Sequence, residues 1–121
     1  MKPSIFASAL LAAGLALPAV AHHGWAWAEA SNSELSGTIV DAKLGNPHGV
    51  LTVQAEGGQR WAVEVGQPWR NERAGLQDTM LVKGTRLTVR GHRHADPAQR
   101  VFKAERVVIG ERTFDLYPDR D

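Results

Sequence analysis

Residues 50–65 read Val-Leu-Thr-Val-Gln-Ala-Glu-Gly-Gly-Gln-Arg-Trp-Ala-Val-Glu-Val, and this stretch decides the fold. Side chains alternate across a strand, so Leu51, Val53 and Ala55 share one face and Trp61, Val63 and Val65 share another. Gly57-Gly58 lies between the two runs, which makes them a hairpin. A two-residue Gly-Gly turn would set apolar Leu51 opposite charged Glu64. A three-residue loop, Gly57 to Gln59, sets Val53 opposite Val63, Ala55 opposite Trp61 and Glu56 opposite Arg60. A one-residue slip sends every side chain to the wrong face, so the three-residue loop is the expectation.

Further along the chain, Gly66 to Leu76 reads as a short helix, with Pro68 at its first position and Gly75 as its stop. Thr85 to Arg93 alternates as a strand, 95–99 is a loop, and Val101 to Ile109 is a strand whose apolar phase changes near Glu105. That phase change predicts a bulge. A short strand at 113–117 follows the Gly110-Glu111 turn. Upstream, Leu35 to Leu44 is a strand in which Gly37 marks a bulge or bend, and Gly45 to Gly49 is a turn. Three strands, a helix and two strands predict a mainly β fold, a small OB-like barrel over 34–121. A meander sandwich would show the same strands but would not need the helix.

Residues 22–33, HHGWAWAEASNS, have no sustained period and read as an extended or mobile arm. Before them stands MKPSIFASALLAAGLALPAVA. Lys2 supplies a positive start, Ile5 to Leu17 an apolar run, and Ala19-Val20-Ala21 a small-x-small cleavage site. A spanning helix needs about 20 apolar residues, and Pro18 and His22-His23-Gly24 stop this run short of that. Residues 1–21 are therefore expected to be a signal peptide cleaved after Ala21. The mature chain is expected in a bacterial periplasm, with no membrane association after cleavage.

Composition narrows the function. The chain has no cysteine, which leaves no disulfide, thiolate metal site or cysteine nucleophile. Of its 14 Lys and Arg residues Lys2 falls in the leader, so the mature chain balances its 13 Asp and Glu. Nucleic-acid binders draw their affinity from phosphate neutralisation and usually carry a basic excess. No nucleic-acid partner is expected. The basic run Arg86 to Arg93 reads as a solvated strand face.

The 5 histidines fall in three places: His22-His23, His48, and His92 with His94. His48 belongs to the first interstrand loop of the barrel. His92 and His94 lead into the loop between the fourth and fifth strands, and those two loops flank one binding face of an OB-like barrel. Cleavage would also give His22 a free α-amine, which chelates a metal together with its own imidazole. Nitrogen ligands suit copper or zinc, and His48 would complete a three-nitrogen site of the histidine-brace type. Alternatively, His23 and its local backbone hold Cu(II) in a square plane. His22, His23, His48, His92 and His94 are the candidate metal ligands, with copper first and zinc second. The bland alternatives are an incidental terminal pair, a His48 that caps its turn, and solvated strand-end imidazoles.

Asn46 and Trp25 are placed on the ligand-facing side. Trp61 is expected in the core and Trp69 to staple the helix to the barrel. Trp25 and Trp27 alternate on the arm, as an added edge strand would. No catalytic or further cofactor residues are assigned, because the chain has no Ser-His-Asp order, no HExxH and no phosphate-binding glycine loop. Glu64 and His48 would make an acid/base pair, but nothing in the sequence places them together.

AHHG after the leader, SGTIVDAKLGNPHGVLTV, RWAVEVGQP and LVKGTRLTVRGHR together resemble a group of small exported bacterial proteins known as a domain of unknown function. The resemblance covers nearly all of 21–117, with His22-His23 and Asn46-Pro47-His48 its most specific parts. Leu44-Gly45 departs from the aromatic-polar pair expected before the turn. The resemblance implies a periplasmic barrel-like module and no particular activity. The expected function is non-enzymatic binding of a metal ion. The alternative is a metal-free adaptor for a periplasmic protein or small ligand on the barrel face.

Overall fold

The structure is a computed structural model and describes residues 24–120. The elements run β1 (Ser33–Lys43), β2 (Val50–Ala55), β3 (Arg60–Glu64), α1 (Pro68–Ala74), a 3-10 turn (Asp78–Met80), β4 (Arg86–Arg93), β5 (Val101–Ile109) and β6 (Arg112–Asp115). The sheet order is β3-β2-β1-β4-β5-β6, and β5 pairs in parallel with β3. That pairing closes five strands into a barrel, and β6 hangs outside as a hairpin partner of β5. The OB-like barrel expected from the sequence is the observed architecture.

Each strand sends alternate residues inward. Ile39, Leu51, Val53, Val63, Val89, Phe102, Ala104 and Val107 are all fully buried. Burying such aliphatic and aromatic side chains contributes roughly 1.5–3 kcal/mol each. Leu76 and Leu81, from the segment after α1, join the same cluster. The β1 strand serves two neighbours, pairing with β4 over Ser33–Thr38 and with β2 over Gly37–Lys43. Gly37 sits where the two ladders overlap, and a Cβ there would strike the Gln54 carbonyl and Val53. The bulge itself lies next door, between Ile39 and Asp41. The second bulge falls where the phase change put it: Arg90 faces Arg106 while Gly91 faces Ala104, leaving Glu105 as the extra residue.

The hairpin register differs from the one expected. Leu51 faces Val63, Val53 faces Trp61, and Gln54 faces Arg60. Ala55 N–H donates to the Gln59 carbonyl and Gly58 N–H to the Ala55 carbonyl, so the loop is Glu56 to Gly58. The loop keeps three residues but moves back by one. This turn needs a left-handed residue in its third place, and Gly58 supplies it with φ 90°. The pairs move by two residues, so every side chain keeps its face.

Helix α1 starts at Pro68 and stops at Gly75, which has φ 85° and donates to the Asn71 and Glu72 carbonyls. Buried Asn71 accepts from Gly66 N–H at 2.9 Å and donates to the Gly66 carbonyl at 3.0 Å, tying the helix to the end of β3. Trp69 does not staple the helix to the barrel. It is 50% exposed and stacks instead under the guanidinium groups of Arg70 and Arg73. The arm is docked through one antiparallel bridge, Ala28 to His94, with Trp27 only 5% exposed.

Candidate functional site

The wall made by β3, β5 and β4 carries a layer of polar side chains on its outer face. Glu64 lies beside Lys103 in the parallel register, and Lys103 lies opposite His92 in the antiparallel one. The β5 bulge adds Glu105. All four are buried. Ions out of water need partners, because desolvation otherwise costs several kcal/mol each, and these have them. Lys103 Nζ donates to Glu64 Oε1 at 3.2 Å. Arg120 Nε donates to Glu105 Oε2 at 2.9 Å, and His92 Nε2 lies 2.8 Å from the same oxygen.

The cover comes from both ends of the described chain. The Trp25 indole meets His92 and Tyr117 edge-on, at centroid distances of 5.7 and 5.0 Å. Arg120 lies 3.8 Å from its centroid and the Lys103 ammonium 5.3 Å. Arg70 sits over the Tyr117 ring at 4.2 Å and donates to the Leu116 carbonyl. Burial raises the Tyr117 phenol above its ordinary value of 10.0, and Glu64 adds to this while Arg70 and Arg120 oppose it.

His48 enters this layer from the first loop. Gly49 N–H donates to the Gly66 carbonyl, and Val65 N–H donates to the Gly49 carbonyl. A Cβ at Gly49 would press on Leu44 and Val65 at 2.9 Å. The loop is thus clamped to the end of β3, and His48 Nε2 comes within 3.4 Å of Glu64 Oε1. The His48–Glu64 pairing that nothing in the sequence placed together is brought together by this clamp. The other ring nitrogen, His48 Nδ1, is shielded from solvent and has no hydrogen-bond partner among the described residues.

The other candidate ligands are distributed as follows. His92 lies in the same layer, but both its nitrogens are engaged. Nδ1 donates to the Ser31 carbonyl at 3.0 Å, and Nε2 faces Glu105. His94 stacks on Trp27 at 5.1 Å, and its Nδ1 accepts from Asp96 N–H. Asn46 is exposed, two residues before His48, across a cis Asn46–Pro47 peptide. His22 and His23, like residues 1–21 that the sequence suggests are a signal peptide, lie outside the described residues. Among the described residues no three His, Asp or Glu side chains group as a metal site. No described helix is long and apolar enough to cross a membrane.

Sequence reasoning missed Lys103, Glu105 and Arg120. The signal was present in Val101 to Ile109, where Lys103, Glu105 and Arg106 interrupt a run of apolar residues. Alternation alone assigns such residues to solvent, and only the arm and the tail bury them.

A second feature lies beside the β4–β5 loop. A cleft of about 330 Å³ opens between Trp61, Arg93, His94, Gln99 and Arg100, with Glu29 of the arm on its rim. Arg93 lies over the Trp61 ring at 5.4 Å.

The architecture and this covered outer wall define a small closed β-barrel module with an added strand. The chain belongs to DUF6152, a family of unknown function, whose family model matches residues 10–101. No curated protein matches the chain. The match takes in the arm, the Asn46-Pro47-His48 loop and the first four strands, so the expected membership of a family of unknown function holds.

Proposed function

We propose that this protein is exported to the periplasm and binds a transition metal there, copper before zinc, without catalysing a reaction. The supporting observation is His48 Nδ1, a buried nitrogen with no partner among the described residues. An unsatisfied buried polar atom costs about 1–3 kcal/mol, so a site that keeps one invites a ligand. The Nε2 side of the same ring faces Glu64, the arrangement that commonly orients a metal-binding imidazole.

The remaining ligands come from the arm: the α-amine and imidazole of His22, with His23 as the alternative. Trp25 is held over the polar layer, and steps of 5.3, 3.2 and 3.4 Å link its ring through Lys103 and Glu64 to His48. Two or three residues of extended chain reach roughly 7–11 Å, a comparable span. In this reading the ligands are His22, His23 and His48; His92 already spends both nitrogens on hydrogen bonds, and His94 stacks on Trp27 and accepts from Asp96 N–H. Bound copper would supply no more than a charged centre held by imidazole and amine nitrogens.

Two measurements test this reading. Intact mass of the exported protein should correspond to a chain starting at His22. Competition titration with Cu(II) should then show at least a tenfold loss of affinity for His48→Ala, and for a chain with one extra N-terminal residue. Equal affinities across the three proteins would refute a shared site.

A further inference from the structure

The geometry points to a second binding site, the cleft beside the β4–β5 loop, for a small hydroxylated dicarboxylate. Loops of this position flank the ligand face in OB-type barrels, but fold alone does not make a site. The side chains do. Three arginines on the strands face an acid: Arg86 pairs with Glu56, Arg90 with Glu34 and Arg106 with Asp115. Arg93 and Arg100 line the cleft from the two ends of one loop, and neither is in an ion pair among the described residues.

Arg93 is also pre-positioned. Its guanidinium lies over the Trp61 indole, which orients the planar fork and lowers the entropy lost on binding an anion. A fork of this kind takes a carboxylate through two parallel N–H···O bonds. Two such groups suit two carboxylates. Gln59 and Gln99 add amide donors and acceptors, and Glu29, the cleft's one acidic residue, accepts from a hydroxyl and repels a third carboxylate. At about 330 Å³ the cleft is at the small end for ligand sites, which fits a four-carbon acid better than a polymer.

Because one face of Trp61 is taken by Arg93, the indole serves the arginine and not the ligand. This distinguishes the site from a platform that stacks bases or sugar rings. None of the residues argued from here belongs to the proposed metal site, so the two readings fail separately.

The test is calorimetric titration of metal-free protein with tartrate, succinate, threitol and inorganic phosphate. Tartrate should bind, with succinate at least fivefold weaker, phosphate at least tenfold weaker, and threitol showing no heat. Arg93→Gln and Arg100→Gln should each weaken tartrate at least tenfold. Both side chains are exposed, so melting temperatures should stay within a degree or two of the parent. Phosphate binding as tightly as tartrate, unchanged affinity in either variant, or no tartrate heat at 10 mM ligand would overturn the assignment.

Discussion

The two faces of the β3–β5–β4 wall solve burial in opposite ways. Inward, Val63, Phe102, Ala104 and Val89 belong to the hydrophobic core. Outward, Glu64, Lys103, Glu105 and His92 are equally shielded from water, yet each is ionisable and each is paired. The inner face needs nothing but strand alternation and closure. The outer face depends on two further pieces of chain, the arm at Trp25 and the tail at Tyr117 and Arg120. The polar pairs Glu64–Lys103 and His92–Glu105 link barrel strands, while their cover is supplied by both ends.

That contrast can be broken at several points, beginning with the inner face. Phe102→Ala should cost about 3–5 kcal/mol in denaturant unfolding, the usual range for an aromatic deleted from a packed core. On the outer face Glu105→Gln should cost about 2 kcal/mol. Removing one member of a buried ionic set often costs 3–5 kcal/mol, but Arg120 has a side-chain exposure of 41% and can turn to water. Glu56→Gln, which breaks an ion pair of the same type on an exposed surface, should change stability by less than about 1 kcal/mol. A Glu105 effect no larger than the Glu56 effect would show that the outer layer is not closed.

The smallest effect is spectroscopic. Tyr117 is the chain's 1 tyrosine, so alkaline absorbance titration reports it alone. Its midpoint should lie above 10.0, because burial disfavours the phenolate. The raised value means that its contribution to stability is complete below pH 10 and is lost as pH rises through the folded-state midpoint. Trp25→Ala removes part of the cover and should bring the midpoint back toward 10. A midpoint indifferent to Trp25 would mean that the arm does not shield this layer.

How much was legible follows the same division. Alternation in Val50 to Val65 and Thr85 to Arg93 revealed the strands, and the phase change in Val101 to Ile109 revealed the bulge at Glu105. The hairpin register slipped because the position of a three-residue loop depends on which glycine takes the left-handed place. Trp69 was misplaced because guanidinium stacking can satisfy an indole as well as a core can. For the site, His48 was visible as a loop histidine, but its approach to Glu64 needed the Gly49 clamp. The burial of Lys103 and Glu105 required contacts more than 70 residues apart in sequence, from Trp25 to Lys103. No local pattern carries that.

If the arm and His48 hold one metal in the folded state, copper must stabilise that state against unfolding. Thermal unfolding of the chain starting at His22, with and without Cu(II), tests it most directly. At free copper 100 times the dissociation constant, the folded state should gain about 2.7 kcal/mol, provided that the unfolded chain binds weakly. His48→Ala should lose most of that gain while the terminal histidines keep some copper. An equal melting shift in the parent and His48→Ala would contradict the account.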